Sequence, residues 1–204
     1  MVITHYSSEK QITIILRRSV LKYHTLLADP PYPYRQKLNS PTTRGGLKYA
    51  TMTIEQIMAI PVQDWVDKDC QCWLWTTNSH LHEAFHILEA WGFRYITTCT
   101  WVKTKMGLGY WLRGKTEHLL LGVKGSPRSK FIGPHGSSGY DWSTFMHAPP
   151  QGHSQKPECS YDMIEALSEE PRLELFGRRY RLGWDTWGDE LGIKIPTISP
   201  PMAG

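Results

Sequence analysis

Residues 26–34 read LLADPPYPY. An apolar run ends in an acid, and two prolines follow, fenced by tyrosines. The residues leading in, YHTLLAD at 23–29, have the length and apolar content of a buried strand. Pro30 and Pro31 end that strand, because each locks its own φ at about −65° and offers no N–H to a ladder. The corner therefore stands at the carboxyl end of a strand. In open α/β sheets that end is where ligands bind.

Downstream, strand-like and helix-like stretches alternate. TIEQIMAIP (53–61) predicts a short helix capped by Thr53 and stopped by Pro61. CQCWLWTT (70–77) predicts a strand, and Ser79 can cap a helix over 80–91 that stops at Gly92. RYITTCTWVK (94–103) and EHLLLGVKG (117–125) read as strands, rich in β-branched, aromatic and apolar residues. ECSYDMIEALS (158–168) is helical, entered through Pro157, and RLELFGR (172–178) is a last strand. The alternation predicts an α/β fold with a mostly parallel sheet and helices on both faces. No internal repeat is visible. The stretch 125–139, GSPRSKFIGPHGSSG, is rich in Gly, Ser and Pro, so a mobile loop is expected over about 125–150. A short flexible tail is expected over about 195–204.

The 204 residues suffice for one domain with a real core and are too few for two comfortable ones. Hydrophobic residues make up 40% and charged residues 21%, as in an ordinary soluble globular protein. The net charge of +4 is compatible with a nucleic-acid partner without demanding one. Nine Trp and ten Tyr can build a large core or supply flat platforms for stacking bases. Cys70 and Cys72 lie two apart in a strand-like run, so they share a face and cannot easily bond each other. With Cys99 and Cys159 they read as reduced, which places the protein in the cytoplasm. The N-terminus lacks signal-peptide character, and no apolar run is long enough to span a membrane.

The corner suits one chemical task. The lone pair of an exocyclic amine on a base is delocalised into the ring, so the nitrogen is a poor nucleophile. Asp29 and the Pro30 carbonyl can each accept one of its protons, drawing it towards tetrahedral geometry. Proline sets the direction of that carbonyl, and the Tyr32 ring can stack on the base. Positioning a methyl donor in line then supplies roughly 7–11 kcal/mol. By chance such a corner arises on the order of once in 200 chains of this composition.

A rival pattern, HEAFH at 82–86, fits the zinc-protease signature, with His82 and His86 on one helix face and Glu83 as base. It arises by chance about once in 50 chains. The metzincin extension is also missing, with Glu89 and Gly92 where Gly and His would stand. Glu117 is a conceivable third ligand, though it lies in a strand-like run. An amphipathic surface helix is the preferred reading, with no metal. The stretch KTKMGLGYWLRGK (103–115) sets Lys103, Lys105, Arg113 and Lys115 around Tyr110 and Trp111. Cations for phosphates with rings for bases is a nucleic-acid pattern. Lys124, Arg128 and Lys130 continue the charge.

Taken in order, ADPPY, YATMTIEQI, WLWTTN, EAWGFRY, TWVKT, GYWLRGKTEHLLLGVKG, HSQKPECSYDMIEAL and RLELFGRRYRLGWDTWGDEL resemble the blocks of the seventy-kilodalton MT-A family of adenine-N6 methyltransferases. That family includes the catalytic subunit of the eukaryotic mRNA adenosine methyltransferase and many bacterial and phage DNA enzymes. The resemblance implies a Rossmann-like methyltransferase sheet in permuted order, with the catalytic motif before the donor-binding motif, as one catalytic domain over 1–204. It implies S-adenosylmethionine as the donor. It implies Asp29, Pro30, Pro31 and Tyr32 as the catalytic motif, with Asp29 and Lys156 beside the donor. Phe176, Gly177 and Arg178 match the donor-binding turn, and Asp189 and Glu190 the positions that meet the donor's ribose. Tyr49 and Glu117 match residues near the acceptor base, joined by Tyr32, Lys103 and Arg113. Four departures stand out. Tyr32 replaces the usual Trp, Gln155 a His, Asp189–Glu190 an Asn-Gln pair, and Arg179–Tyr180 a Pro-His pair.

The function expected is methyl transfer to adenine N6 in nucleic acid, with DNA favoured because the likeness is to the compact prokaryotic and phage form. The alternatives are an RNA adenosine methyltransferase or a non-catalytic nucleic-acid-binding subunit. A homo- or heterodimer is compatible with either. An adenine in a duplex would have to be flipped out.

Overall fold

The computed structural model describes residues 21–33, 50–107, 111–129, 142–151, 155–188 and 191–192. At its centre is β1 (Tyr23–Ala28), the strand that runs into the Asp-Pro-Pro-Tyr corner. Leu26, Leu27 and Ala28 are all buried. A strand covered on both faces reads as a continuous apolar run rather than an alternation.

On one side β1 pairs in parallel with β2 (Val66–Thr77), and on the other with β6 (Arg172–Leu175). Seven further α-helices and strands lie among the described residues. The first five are α1 (Ile54–Met58), α2 (Leu81–Ala90), β3 (Arg94–Lys103), β4 (Thr116–Lys124) and β5 (Phe145–Ala148). The last two are α3 (Glu158–Leu167) and β7 (Trp184–Trp187). The seven strands stand in the order β5-β3-β4-β2-β1-β6-β7. Among the described strands only β4 runs against its neighbours, β2 and β3; every other pairing there is parallel. The carboxyl ends of β1, β2, β3 and β6 thus share one edge with the amino end of β4.

Two apolar layers sandwich the sheet. Leu26, Cys72, Leu74 and Leu120 face α1 and α2, through Ile57, Ala84, Ile87 and Leu88. Leu27, Trp73, Trp75 and Leu119 face α3, through Tyr161, Met163 and Ile164. The expected α/β sheet with helices on both faces is therefore the observed one. Cys70 and Cys72 share a layer, and all four cysteines are free.

Local signals account for most boundaries. Thr53 closes a capping box with Gln56: the Gln56 N–H donates to Thr53 Oγ1 (3.2 Å) and the Thr53 N–H to Gln56 Oε1 (2.8 Å). Gly92 ends α2 at φ 78°, the left-handed position that favours glycine. The sequence predicts Ser79 as the cap of α2, and the structure corrects this. His80 holds that place without a side-chain cap bond, and Ser79 Oγ instead lies 2.9 Å from Thr77 Oγ1 in a preceding turn. Two strands had no sequence signal, β5 and β7, each four residues long. Too short for periodicity, they are defined by pairing with Thr100–Lys103 and Arg172–Leu175. The stretch expected as a mobile loop, about 125–150, thus contributes a strand near its end, while 130–141 lie outside the described residues.

Candidate active site

The corner is closed by backbone bonds. The Asp29 N–H reaches Leu175 O (3.4 Å), extending the pairing with β6 by one residue. The Tyr32 N–H donates to Pro30 O and the Met52 N–H to Pro31 O, both at 2.9 Å. A carbonyl has two lone pairs, so Pro30 keeps one for a further donor.

Tyr32 is held from two directions. Its hydroxyl donates to Trp75 O at 3.0 Å, and burial pushes its pKa up. The His80 ring stacks on it, with centroids 5.0 Å apart and planes 11° from parallel. His80 Nε2 then donates to Pro33 O at 2.8 Å, so that nitrogen carries the proton. One buried histidine therefore fastens both the ring and the far end of the corner.

Beside Asp29 runs a chain of four alternating charges. Lys156 Nζ lies 2.9 Å from Asp29 Oδ1 and 3.1 Å from Glu117 Oε2. Lys103 Nζ takes the other Glu117 oxygen, Oε1. Register explains the meeting: Glu117, the second residue of β4, lies opposite Thr77 of β2 and Trp101 of β3. Alternation puts it on the same face as Leu119, over the tryptophan layer. Lys156 Nζ sits 5.3 Å from the Trp75 ring centroid and Lys103 Nζ 4.8 Å from that of Trp101. The two indoles pack edge to face at 6.2 Å. Cations over ring faces are attracted by the ring quadrupole.

The two carboxylates differ in how they hold charge. Burial is the largest influence on Asp29 and raises its pKa above the ordinary 3.8; Lys156 opposes without cancelling it. Burial also acts on Glu117, but Lys156 and Lys103 together outweigh it and hold that carboxyl below its ordinary 4.5. Burial would lower Lys156, yet its two acids outweigh it and raise the ammonium above 10.5. Glu117 therefore keeps its charge and Asp29 gives its charge up more easily.

The expected donor turn lies across the edge from this chain. Phe176 takes φ 66°, a left-handed conformation that side chains avoid, and the Gly177 N–H donates to Trp187 O at 3.2 Å. A Cβ on Gly177 would collide with Thr186, so only glycine fits. Arg178 is close enough to pull on the Asp29 carboxyl. Beneath the turn, Glu174 accepts from the Tyr161 hydroxyl through Oε1 (2.7 Å). Its Oε2, and Thr186 Oγ1, are buried without a hydrogen-bond partner among the described residues. Burial raises the Glu174 pKa to about 7.

Of the residues marked by sequence, Asp29, Lys156, Glu117 and Lys103 form one connected chain, flanked by Pro30, Pro31 and Tyr32. Phe176, Gly177 and Arg178 form the turn. Arg113 stands apart on the loop between β3 and β4, its Nε donating to Gly107 O at 2.7 Å. Tyr49, Asp189 and Glu190 lie outside the described residues. Sequence reasoning passed over His80, Trp75, Trp101 and Glu174. The first had a faint signal, a polar Asn-Ser-His break between an apolar strand and an amphipathic helix. The others look like ordinary strand residues. In HEAFH, His82 and His86 bring their Nε2 atoms to 3.3 Å on the exposed face of α2. No group of three His, Cys, Asp or Glu side chains that could hold a metal occurs among the described residues. Glu117, the conceivable third ligand, is instead bound by two lysines.

A family model described as MT-A70 matches residues 23–190. The type II methyltransferase M.MunI of a Mycoplasma species is 28% identical over 200 residues, covering 86% of this chain and 82% of that protein. The human N(6)-adenosine-methyltransferase catalytic subunit METTL3 is 31% identical over 188 residues, covering 85% of this chain and 29% of that protein. An MT-A70-like protein of Drosophila melanogaster is 30% identical over 186 residues, with 85% and 28% covered. The chain thus spans most of the first relative and under a third of the other two.

Proposed function

The chain belongs to the MT-A70 family of methyltransferases, and on that premise we propose that it methylates adenine N6 in nucleic acid, with DNA the favoured acceptor. The observation that carries the reading is the Asp29–Lys156 contact at the mouth of the proline corner. Asp29 and the free lone pair of the Pro30 carbonyl accept the two amine protons, and Tyr32 offers its ring to the base. Glu117 satisfies Lys156 from the other side. Asp29 can therefore exchange its lysine contact for the amine without leaving the ammonium unpaired. As the nitrogen gains its methyl group, the proton it sheds has Asp29 within reach.

S-adenosylmethionine is the donor we assign, and when bound it supplies an electrophilic methyl carbon. The residues present fit such a group. Lys156 is a cation for a carboxylate, and the Phe176–Gly177–Arg178 turn is a cradle that a Cβ would fill. Glu174 Oε2 and Thr186 Oγ1, without a partner among the described residues, lie beneath it as acceptors for polar hydrogens. Asp189 and Glu190 follow by two and three residues in sequence after Trp187, whose carbonyl accepts from the Gly177 N–H.

DNA is favoured because M.MunI, a type II methyltransferase, matches this chain along 82% of its own length. The likeness to METTL3 keeps RNA as the second reading. The intact corner with its lysine argues against a purely binding subunit. No helix among the described residues is long and apolar enough to cross a membrane. Four free cysteines fit a cytoplasmic protein, and a dimer remains compatible. The test is incubation with labelled donor and adenine-containing DNA or RNA, followed by digestion to nucleosides. Label in N6-methyldeoxyadenosine is expected. Label in neither polymer, with donor binding shown intact, overturns the proposal.

A further inference from the structure

The loop between β3 and β4 carries an unusual tip. Trp111 is fully exposed, Leu112 is 82% exposed and Met106 63%. Single exposed apolar residues are common on monomers, but three large ones at one projection mark a surface meant to be covered. The projection is stiffly rooted. The Lys103 N–H donates to Lys115 O at 2.8 Å and the Gly107 N–H to Gly114 O at 2.6 Å. The Arg113 Nε bond to Gly107 O adds a third tie across the stalk. On its returning side Trp111 takes φ 59°, a left-handed conformation held against the preference of a bulky side chain.

Charge identifies what covers it. Lys105, Arg113 and Lys115 flank the tip and are all exposed, and no acid lies between residues 104 and 115. Apolar wedges ringed by cations suit a polynucleotide, whose phosphates meet the cations while the wedge meets the bases. The stalk also grows directly from the candidate site. Lys103 is its first residue, and Glu117 follows its last by two. The tip is thus attached at the edge where an extruded base would arrive.

We propose that Trp111 and Leu112 form a wedge that enters the stack of a double-helical nucleic acid and fills the gap left by the extruded adenine. The inference rests on the methyl-transfer reading above, since only chemistry on a base requires extrusion. It adds a strand-opening device that neither the proline corner nor the charged chain provides.

The experiment uses the full chain, and a Trp111→Ala/Leu112→Ala variant, with a duplex carrying 2-aminopurine in place of adenines. Fluorescence of 2-aminopurine rises when it unstacks. Label transfer to the adenine-containing duplex and to its separated strand is measured in parallel. Expected are a fluorescence rise with wild type, its loss in the variant at saturating protein, and a fall of about tenfold in the duplex-to-single-strand activity ratio. The replaced side chains are exposed, so a melting temperature near wild type confirms that the variant folds. An equal rise and an unchanged ratio overturn the wedge. Transfer to duplex without any rise also overturns it and leaves the methyl-transfer reading standing. A rise without transfer to any polymer supports the wedge and sinks the methyl-transfer reading. If sedimentation shows that the substitutions only convert a dimer to a monomer, the tip belongs to a second copy and the wedge fails.

Discussion

Lys156 Nζ lies 2.9 Å from Asp29 Oδ1, joining the segment before α3 to the end of β1. Lys156 is only 9% exposed and Asp29 is 26% exposed, so water does little to weaken the contact. It is the hinge between the proline corner and the rest of the charged chain, and the first prediction starts from it.

Asp29→Ala and Asp29→Asn should keep the fold, because Glu117 still pairs Lys156. Both should lose transfer by on the order of 10²-fold or more, the usual cost of removing a positioned proton acceptor. Label transfer and circular dichroism, measured together, check this. Either variant with wild-type turnover would contradict the role given to the carboxylate.

Lys156→Met removes the cation from between two buried acids. Loss of one partner of a buried pair costs about 3 kcal/mol, taken at the low end because Asp29 keeps some water. The remaining acids repel, so Asp29 should protonate at a still higher pH. Urea unfolding gives the first quantity and the pH profile of the residual activity the second.

The acid limb of the wild-type rate should fall at a higher pH than an ordinary aspartate would produce. Burial raises Asp29 above 3.8, and only its ionised form can accept the amine N–H and then take the proton. Falling pH therefore silences the corner early. Glu117 behaves oppositely: it is held below 4.5, so its contribution to stability is present above that value and is lost only as pH falls through its depressed pKa. A rate profile whose acid limb lies at or below 3.8 would refute the burial argument.

Glu174 carries the opposite sign for stability. Its folded pKa is raised to about 7 from 4.5, so its contribution is fully present below 4.5 and lost as pH rises through about 7. The loss is on the order of 3 kcal/mol. Glu174→Gln keeps an acceptor for the Tyr161 hydroxyl and removes the titration. The variant should gain stability over wild type at pH above about 7, where the buried charge costs most, and lose that advantage in acid. Parallel melting curves at several pH values, without donor, decide it.

His80→Ala should loosen Tyr32 and free the Pro33 carbonyl. An aromatic stack of this kind contributes about 0.5–1.5 kcal/mol, so a several-fold rise in acceptor KM is expected. His80→Phe restores the stacked ring without the Nε2 bond and should recover part of the loss. Equal defects in the two variants would show that stacking on Tyr32 does not matter.

Much of this architecture was open to reading from the chain alone. β1 and its corner are local matters: an apolar run, an acid, and two prolines that can neither continue a ladder nor turn freely. The Thr53 cap and the Gly92 stop are equally local, since each needs only its own hydroxyl or its own missing Cβ. The family blocks named Lys156 and Glu117 one at a time, yet nothing in them says that the two touch. That contact exists because β4 runs backwards and delivers its first residues to the edge where β1 ends. The same holds for His80 on Tyr32, for Glu174 beneath Gly177, and for β5 and β7, which are too short to carry a period. Sequence determines what the backbone does over a few residues, where sterics and hydrogen bonding act between neighbours. Which charges meet, and which polar atoms are left buried without partners, is decided only when strand order and register bring distant residues within a few ångströms.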